Sequence, residues 1–348
     1  MDWHVPEIPA LCAQSRVAAH DRQNDLTKPP GSLGRLENLA TRLAAMQARS
    51  RPRIDDPVVI VFAADHGVVV HGVSPCRAEV TAQQTVNFGH GRGAVGVLAK
   101  LIGARLEVVD VGVDADLPSA PRLLDRKIAR GTADLTQGPA MSLAQCQQAL
   151  AVGCERVAAL APMDCLVVGE MGIGNTTPSA AMMAAFLGLS PERCCGRGAG
   201  LDDAGVSRKA ATVARALAAN ADLGDDPMAI LAALGGLEIA AMTGAMLAAA
   251  SARIPVVVDG FIASAAALAA TRLEPRARDY LVFGHRGAEQ GHRLLLEALE
   301  ADPLLELELR LGEGTGAELA VPLLRAACCL LDELTTWDEA GVVRQDGC

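Results

Sequence analysis

The densest group of chemically capable side chains in this chain is GEMGIGNTTP, Gly169 to Pro178. It packs three glycines, one carboxylate (Glu170), one amide (Asn175) and two hydroxyls (Thr176, Thr177) into a single short stretch. The apolar run Asp164 to Val168 before it reads as a buried strand, and Thr177-Pro178 reads as an N-cap followed by proline in a first helical turn. Strand, glycine loop and helix start, in that order, leave unsatisfied N–H groups where an anion such as phosphate binds, and glycine lets a ligand approach the backbone. An ordinary βα turn that uses glycine only for its geometry fits the same pattern. A second cluster, Leu311-Gly312-Glu313-Gly314-Thr315-Gly316, again sets one glutamate among glycines ahead of a helix. No bulky neighbour shields that carboxylate from a ligand, and desolvation there would raise its pKa toward that of a useful base. The plainer reading is a surface turn.

Other polar groups divide in the same way. Asp65-His66-Gly67 with nearby His71 reads either as part of a metal site or as a satisfied Asp–His pair at a strand end. His285, Arg286, Glu289 and His292 read as a polar helix start or as an anion site built around Arg286. Lys209, just after Ser207, reads from its position alone as a solvated helix residue.

These residues need a scaffold, and 348 residues at 51% hydrophobic content supply one large α/β domain or two smaller ones. With 31 basic and 41 acidic residues the net charge is -10, which gives no general attraction to nucleic acid or to an anionic membrane. Aromatics at 2% leave few stacking platforms for bases, and they require an interior of Ala, Leu, Val, Ile and Met. Ten scattered cysteines without a C-x-x-C spacing indicate neither zinc ribbon nor disulfide framework. MDWHVPEIPA lacks a basic region followed by an apolar core, so a reducing cytoplasm is expected. Ile239 to Ala252 is too short to span a membrane and reads as a buried helix.

Five apolar, β-branched runs read as buried strands: Val58 to Ala63, Leu106 to Val111, Asp164 to Val168, Ile254 to Val258 and Tyr280 to Phe283. Helices between them, among them Ser142 to Leu160 behind a capping box and Phe261 to Arg272, imply parallel strands in a doubly wound α/β fold. Trp3 to Asp25 is expected helical, and the Pro-Gly stretch from Leu26 to Gly34 forms a structured loop. A further helix spans Ala317 to Thr335. Each strand hands over to polar or glycine residues, which places one shared cleft at the carboxyl ends of the sheet.

The ordered blocks LTKPPGSLGRLE from Leu26, AADHGV from Ala63, GVSP from Gly72, VTAQ from Val80, ARGTADLT from Ala129, GEMGIGNTTP, GRGAGLDD from Gly196, ALGGLEIAAMTGAML from Ala233, VDGFIASAAAL from Val258, GHRGAEQGH from Gly284 and LGEGTGA from Leu311 cover nearly the whole chain. Together they resemble the nicotinate-nucleotide:dimethylbenzimidazole phosphoribosyltransferase family, which prepares the lower ligand of cobalamin. The resemblance implies a Rossmann-like large domain over 51–316, a small helical domain built from 1–50 and 317–348, a homodimer, no cofactor and no metal. It implies Glu313 as catalytic base with Glu170 as a second carboxylate. Gly174, Asn175, Thr176, Lys209 and Gly314 fall on positions for the nucleotide phosphate and ribose, and Ser74, Gln83 and Leu311 on the benzimidazole pocket. Two positions depart from many relatives: Gly287 stands where Ser is frequent and Gln84 where Met is common. The residues alone leave two rivals open, a metal-dependent phosphohydrolase or mutase and a non-catalytic nucleotide-binding module.

Overall fold

In the computed structural model, which describes residues 3–343, all five expected strands form and a sixth joins them. They are β1 (Pro57–Ala64), β2 (Arg105–Gly112), β3 (Leu123–Asp125), β4 (Cys165–Met171), β5 (Val256–Val258) and β6 (Leu281–Phe283). Every pairing is parallel and the order is β3-β2-β1-β4-β5-β6. This is the doubly wound order whose direction of winding reverses between β1 and β4, and ligand crevices open there, beyond the carboxyl ends of the strands. β1 is buried along all eight residues, as a strand covered on both faces must be, so it reads as an unbroken apolar run without alternation. β3 escaped the sequence reading because a strand of three residues carries no periodicity. A two-stranded parallel pair, β7 (His285–Arg286) with β8 (Leu305–Glu306), extends the rim beyond β6.

The first helices are α1 (Ala13–Asp25), α2 (Arg35–Gln47), α3 (Glu79–Gly89), α4 (Gly93–Ile102), α5 (Leu143–Leu160), α6 (Thr176–Leu187) and α7 (Pro191–Cys194). The later ones are α8 (Asp203–Ala219), α9 (Pro227–Leu234), α10 (Leu237–Ser251), α11 (Phe261–Leu273), α12 (Gln290–Ala298), α13 (Thr315–Glu333) and α14 (Trp337–Ala340). α10 and α11 cover one face of the sheet with α5 outside them, while α3, α4 and α13 cover the other. The Ser142 capping box opens α5 as expected. α10 is the buried helix, and it lies unusually close to α5: a Cβ on Gly153 would sit 2.0 Å from the Ala241 carbonyl, and one on Gly244 2.1 Å from that of Leu150. An alanine- and glycine-rich interior with few aromatics is what such backbone contact requires.

The N-terminal segment departs from expectation. Helix begins only at Ala13, because Pro6 and Pro9 remove backbone donors that a helix over Trp3 to Cys12 would need. α1 and α2 pack on α13, and the two ends of the chain are tied by Thr27 N–H donating to Thr335 O at 2.9 Å and by Arg22 donating to Leu331 O at 2.7 Å. Residues 1–2 and 344–348 of the expected small domain lie outside the described residues. Between α1 and α2 the Pro-Gly loop closes on itself. Glu37 accepts Lys28 Nζ at 2.8 Å and the N–H groups of Leu33 and Gly31 at 3.0 and 3.1 Å. Burial opposes its charge, but these donors win and hold the Glu37 carboxyl below the usual range.

Among the described residues no helix is long and apolar enough to cross a membrane.

Candidate active site

A cavity of about 340 Å³ opens at the carboxyl ends of β4 and β5, and both glutamate–glycine clusters line it. The two clusters are built against each other. A Cβ on Gly169 would lie 2.1 Å from the carbonyl oxygen of Glu313, and a Cβ on Gly312 would lie 2.2 Å from Glu170 Oε1. These two glycines therefore serve the contact between the loops, where ligand approach was expected. Gly174 is different: its φ of +88° is left-handed, a conformation that glycine adopts without steric cost, and it lines the cavity.

Glu170 is the penultimate residue of β4 and is 7% exposed. Its Oε2 accepts from Asn175 Nδ2, and its Oε1 accepts from Glu313 N–H at 3.3 Å. Burial, with the charges of Glu238 and Asp259 adding to it, pushes its pKa up to about 8 against those two donors. This shift favours the protonated form near neutral pH, whereas the resemblance implied a carboxylate. Asn175, committed to Glu170, does not cap with its side chain; it is nevertheless the N-cap residue of α6, which begins two residues earlier than Thr177-Pro178 suggested.

Glu313 is a non-glycine residue at φ +67° and is 8% exposed. Its Oε2 accepts the Val95 N–H at 3.3 Å, so the carboxyl group faces the N-terminal turn of α4. Burial raises its pKa; the N–H groups of Val95 and Ala94 oppose this, and the Asp259 charge adds to it. That is the direction the isolated glutamate predicted.

Thr176 and Gly198 line the cavity, and Lys209 stands behind them. It is 1% exposed, and its Nζ donates to Thr176 Oγ1 at 3.1 Å and to Gly196 O at 3.0 Å. The solvated reading of Lys209 is thus wrong: α8 turns the residue inward onto the β4–α6 loop, which its own helix sequence cannot reveal. Burial pushes its pKa down and Glu289 opposes that. Gly314, expected beside phosphate and ribose, spends its N–H on Asp259 Oδ2 at 3.2 Å.

Val73, Ser74, Cys76, Val80, Leu311 and Phe261 also line the cavity. Ser74 Oγ accepts the Cys76 N–H at 3.2 Å. Gln83 is exposed and outside the lining, while Gln84 lines it and accepts from Asn87 Nδ2 at 3.1 Å. Neighbours on a helix are turned about 100° apart, and on α3 it is Gln84 that is turned toward the cavity.

The histidines are held by partners of their own. His66 Nε2 lies 2.8 Å from Glu238 Oε1 in full burial, and burial works against its charge but the Glu238 carboxylate raises its pKa. His71 Nε2 lies 2.8 Å from Asp134 Oδ2. Among the described residues no three His, Cys, Asp or Glu side chains are arranged to hold a metal ion. Arg286 is 45% exposed and faces Glu306, so the anion-site reading of that cluster does not hold. His292 accepts the Gly287 N–H on Nδ1 at 2.9 Å and has Nε2 3.1 Å from Ser264 Oγ; burial, with His285 adding, drives its pKa down to about 3. A Cβ on Gly287 would be 3.0 Å from His292 Nδ1 and 3.1 Å from the Leu309 carbonyl, so a side chain there needs those neighbours to give way.

Sequence reasoning missed Asp259, Arg310 and Glu318. Asp259 and Arg310 line the cavity. Glu318 is fully buried, with neither carboxyl oxygen hydrogen-bonded. Its place on an apolar helix face was the available signal.

A phosphoribosyltransferase family model matches residues 8–342. A relative from Chloroflexus aggregans, named nicotinate-nucleotide--dimethylbenzimidazole phosphoribosyltransferase, is 51% identical over 97% of this chain and 96% of its own. One of the same name from Xanthomonas euvesicatoria pv. vesicatoria is 50% identical over 98% of each chain. The solved structure of CobT from Thermus thermophilus superposes with a TM-score of 0.92 at 47% identity, covering 95% of this chain and all of that one.

Proposed function

The chain belongs to the phosphoribosyltransferase family, and from that premise we propose that it moves the 5-phosphoribosyl group of nicotinate mononucleotide onto 5,6-dimethylbenzimidazole, giving α-ribazole 5′-phosphate and nicotinate. The observation that carries this reading is the placement of Glu313, a buried carboxyl with a raised pKa on the wall of one cavity that the N-terminus of α6 and the apolar side chains of Val73, Val80, Leu311 and Phe261 also line.

The pyridinium nitrogen of the mononucleotide is cationic. When its bond to C1′ breaks, the electron pair neutralises that nitrogen and nicotinate departs without an acid. A benzimidazole nitrogen bonds to C1′ from the opposite face, which inverts β to α. The N–H proton on its other nitrogen goes to Glu313. The Gly174–Thr176 turn at the N-terminus of α6 receives the 5′-phosphate, and Lys209 fixes Thr176 from behind. With its N–H taken by Asp259, Gly314 acts by turning the chain at Glu313. Ser74, Leu311 and Gln84 enclose the benzimidazole, and Gln83 stays outside the pocket wall. A pyridinium cation arriving beside Glu170 favours loss of the Glu170 proton, so ligand binding itself produces the carboxylate that can stabilise positive charge at C1′.

Three wider readings accompany this one: that the enzyme is a homodimer, that it works in the cytoplasm, and that the helices at the two chain ends form a separate small domain. Sedimentation equilibrium, cell fractionation and limited proteolysis, respectively, test them. The activity is tested by incubating the protein with nicotinate mononucleotide and dimethylbenzimidazole and following both products by NMR. Absence of nicotinate release would refute it.

A further inference from the structure

Asp259 follows β5 directly and is 3% exposed. Its Oδ1 accepts from Gly316 N–H at 2.7 Å and Ala317 N–H at 3.0 Å, and its Oδ2 accepts from Gly314 N–H at 3.2 Å. These are donors at the start of α13, whose N-cap residue, Gly314, has no side chain with which to satisfy them. A carboxylate from a strand 55 residues away in sequence does so instead. His285 Nε2 stands 3.3 Å behind Oδ1, and its ring lies flat enough against the helix start that a Cβ on Gly316 would come within 2.0 Å of its Cδ2.

The residue just before this anchored turn is Glu313, whose left-handed backbone is unfavourable for a residue with a Cβ and persists only where its surroundings overdetermine it. Glu170 holds its N–H, and Gly169 admits its carbonyl. The chain on its other side is held by Asp259. We propose that Asp259 is the positioning residue for Glu313: it serves as the missing N-cap of α13 and so locks Glu313 left-handed, with its carboxyl between the α4 N-terminus and the cavity. This rests on the reading of Glu313 as the base. The ionisable groups around Glu313 are Glu170 from β4, Glu318 from α13 and Asp259 with His285 behind it, while α4 presents the N–H groups of Ala94 and Val95. The negative charge of Asp259 also helps to keep Glu313 basic.

Asp259→Ala and Asp259→Asn in the full chain test this. In Asp259→Ala, amide hydrogen exchange at Gly314, Gly316 and Ala317 rises at least about tenfold, kcat falls about 100-fold, and KM for either substrate stays within about threefold. Asp259→Asn keeps one acceptor oxygen and recovers part of kcat. Both variants move the acidic limb of the kcat profile to lower pH, because a negative charge near Glu313 is gone. Exchange within about twofold of wild type, or a kcat loss with an unmoved acidic limb, overturns the proposal. If Asp259→Ala does not fold, the same readings on Asp259→Asn decide. Exchange reports on the positioning without any substrate, so a wild-type protein that releases no nicotinate would refute the proposed function and leave this test standing.

Discussion

The bare α-carbon of Gly169 faces the carbonyl oxygen of Glu313 so closely that a Cβ there would lie 2.1 Å away. One strand end and one helix start, 144 residues apart in the sequence numbering, share a backbone contact, and through it the carboxyl groups of Glu170 and Glu313 are brought into one cavity. The contact leaves no room for any side chain at position 169.

Gly169→Ala is therefore expected to destabilise the fold by about 1–3 kcal/mol, the usual cost of overpacking. By displacing Glu313 it should also lower kcat on the order of 100-fold. Thermal melting together with single-turnover rates checks this; unchanged turnover would mean that the Glu313 loop can shift without consequence.

Glu313→Gln keeps shape and volume but cannot accept the proton. Turnover should drop by about two to four orders of magnitude, while calorimetric affinity for the mononucleotide stays near wild type. A variant keeping more than about half the wild-type rate removes Glu313 from the chemistry.

Glu318 predicts a signature in stability. Burial, with Asp259 and Glu313 adding to it, pushes its pKa up to about 9 from an ordinary 4.5. The folded state thus binds a proton that the unfolded state has lost, so the contribution is fully present below about pH 4.5 and is lost as pH rises toward about 9. Glu170, at about 8, acts in the same direction. Glu318→Gln removes one such group, so relative to wild type its unfolding free energy should gain on the order of 1 kcal/mol per pH unit between about pH 5 and 8. Urea melts across that range measure it, and parallel pH curves for the two proteins would show that Glu318 is not protonated by its burial.

Lys209→Met preserves apolar volume but removes the donor behind Thr176. Binding of nicotinate mononucleotide should weaken by about tenfold or more, with free dimethylbenzimidazole little affected, because only the former carries the phosphate. Equal losses in calorimetry would place Lys209 in general support of the fold.

What the sequence by itself determined is local. Uninterrupted β-branched runs became the strands because a parallel sheet covered on both faces has no polar side to alternate with. The glutamate–glycine clusters stood out because glycine tolerates conformations that other residues resist. Ser142 with Gln145 predicted the start of α5 because a capping box is complete within four residues. The resemblance across ordered motifs carried the family.

Only tertiary structure decided which groups meet. The winding that brings β4 beside β1 and β5 sets Glu170 against Glu313 and Asp259 against a helix it does not belong to. Lys209 has the spacing of a surface residue, yet α8 packs that face on α6 and buries it. Gln84 faces the cavity in place of Gln83 because helix phase is fixed by packing. Burial, and with it the protonation of Glu170 and Glu318, depends on neighbours from distant segments whose approach no local pattern encodes, because desolvation is a property of the surrounding volume and not of the residue.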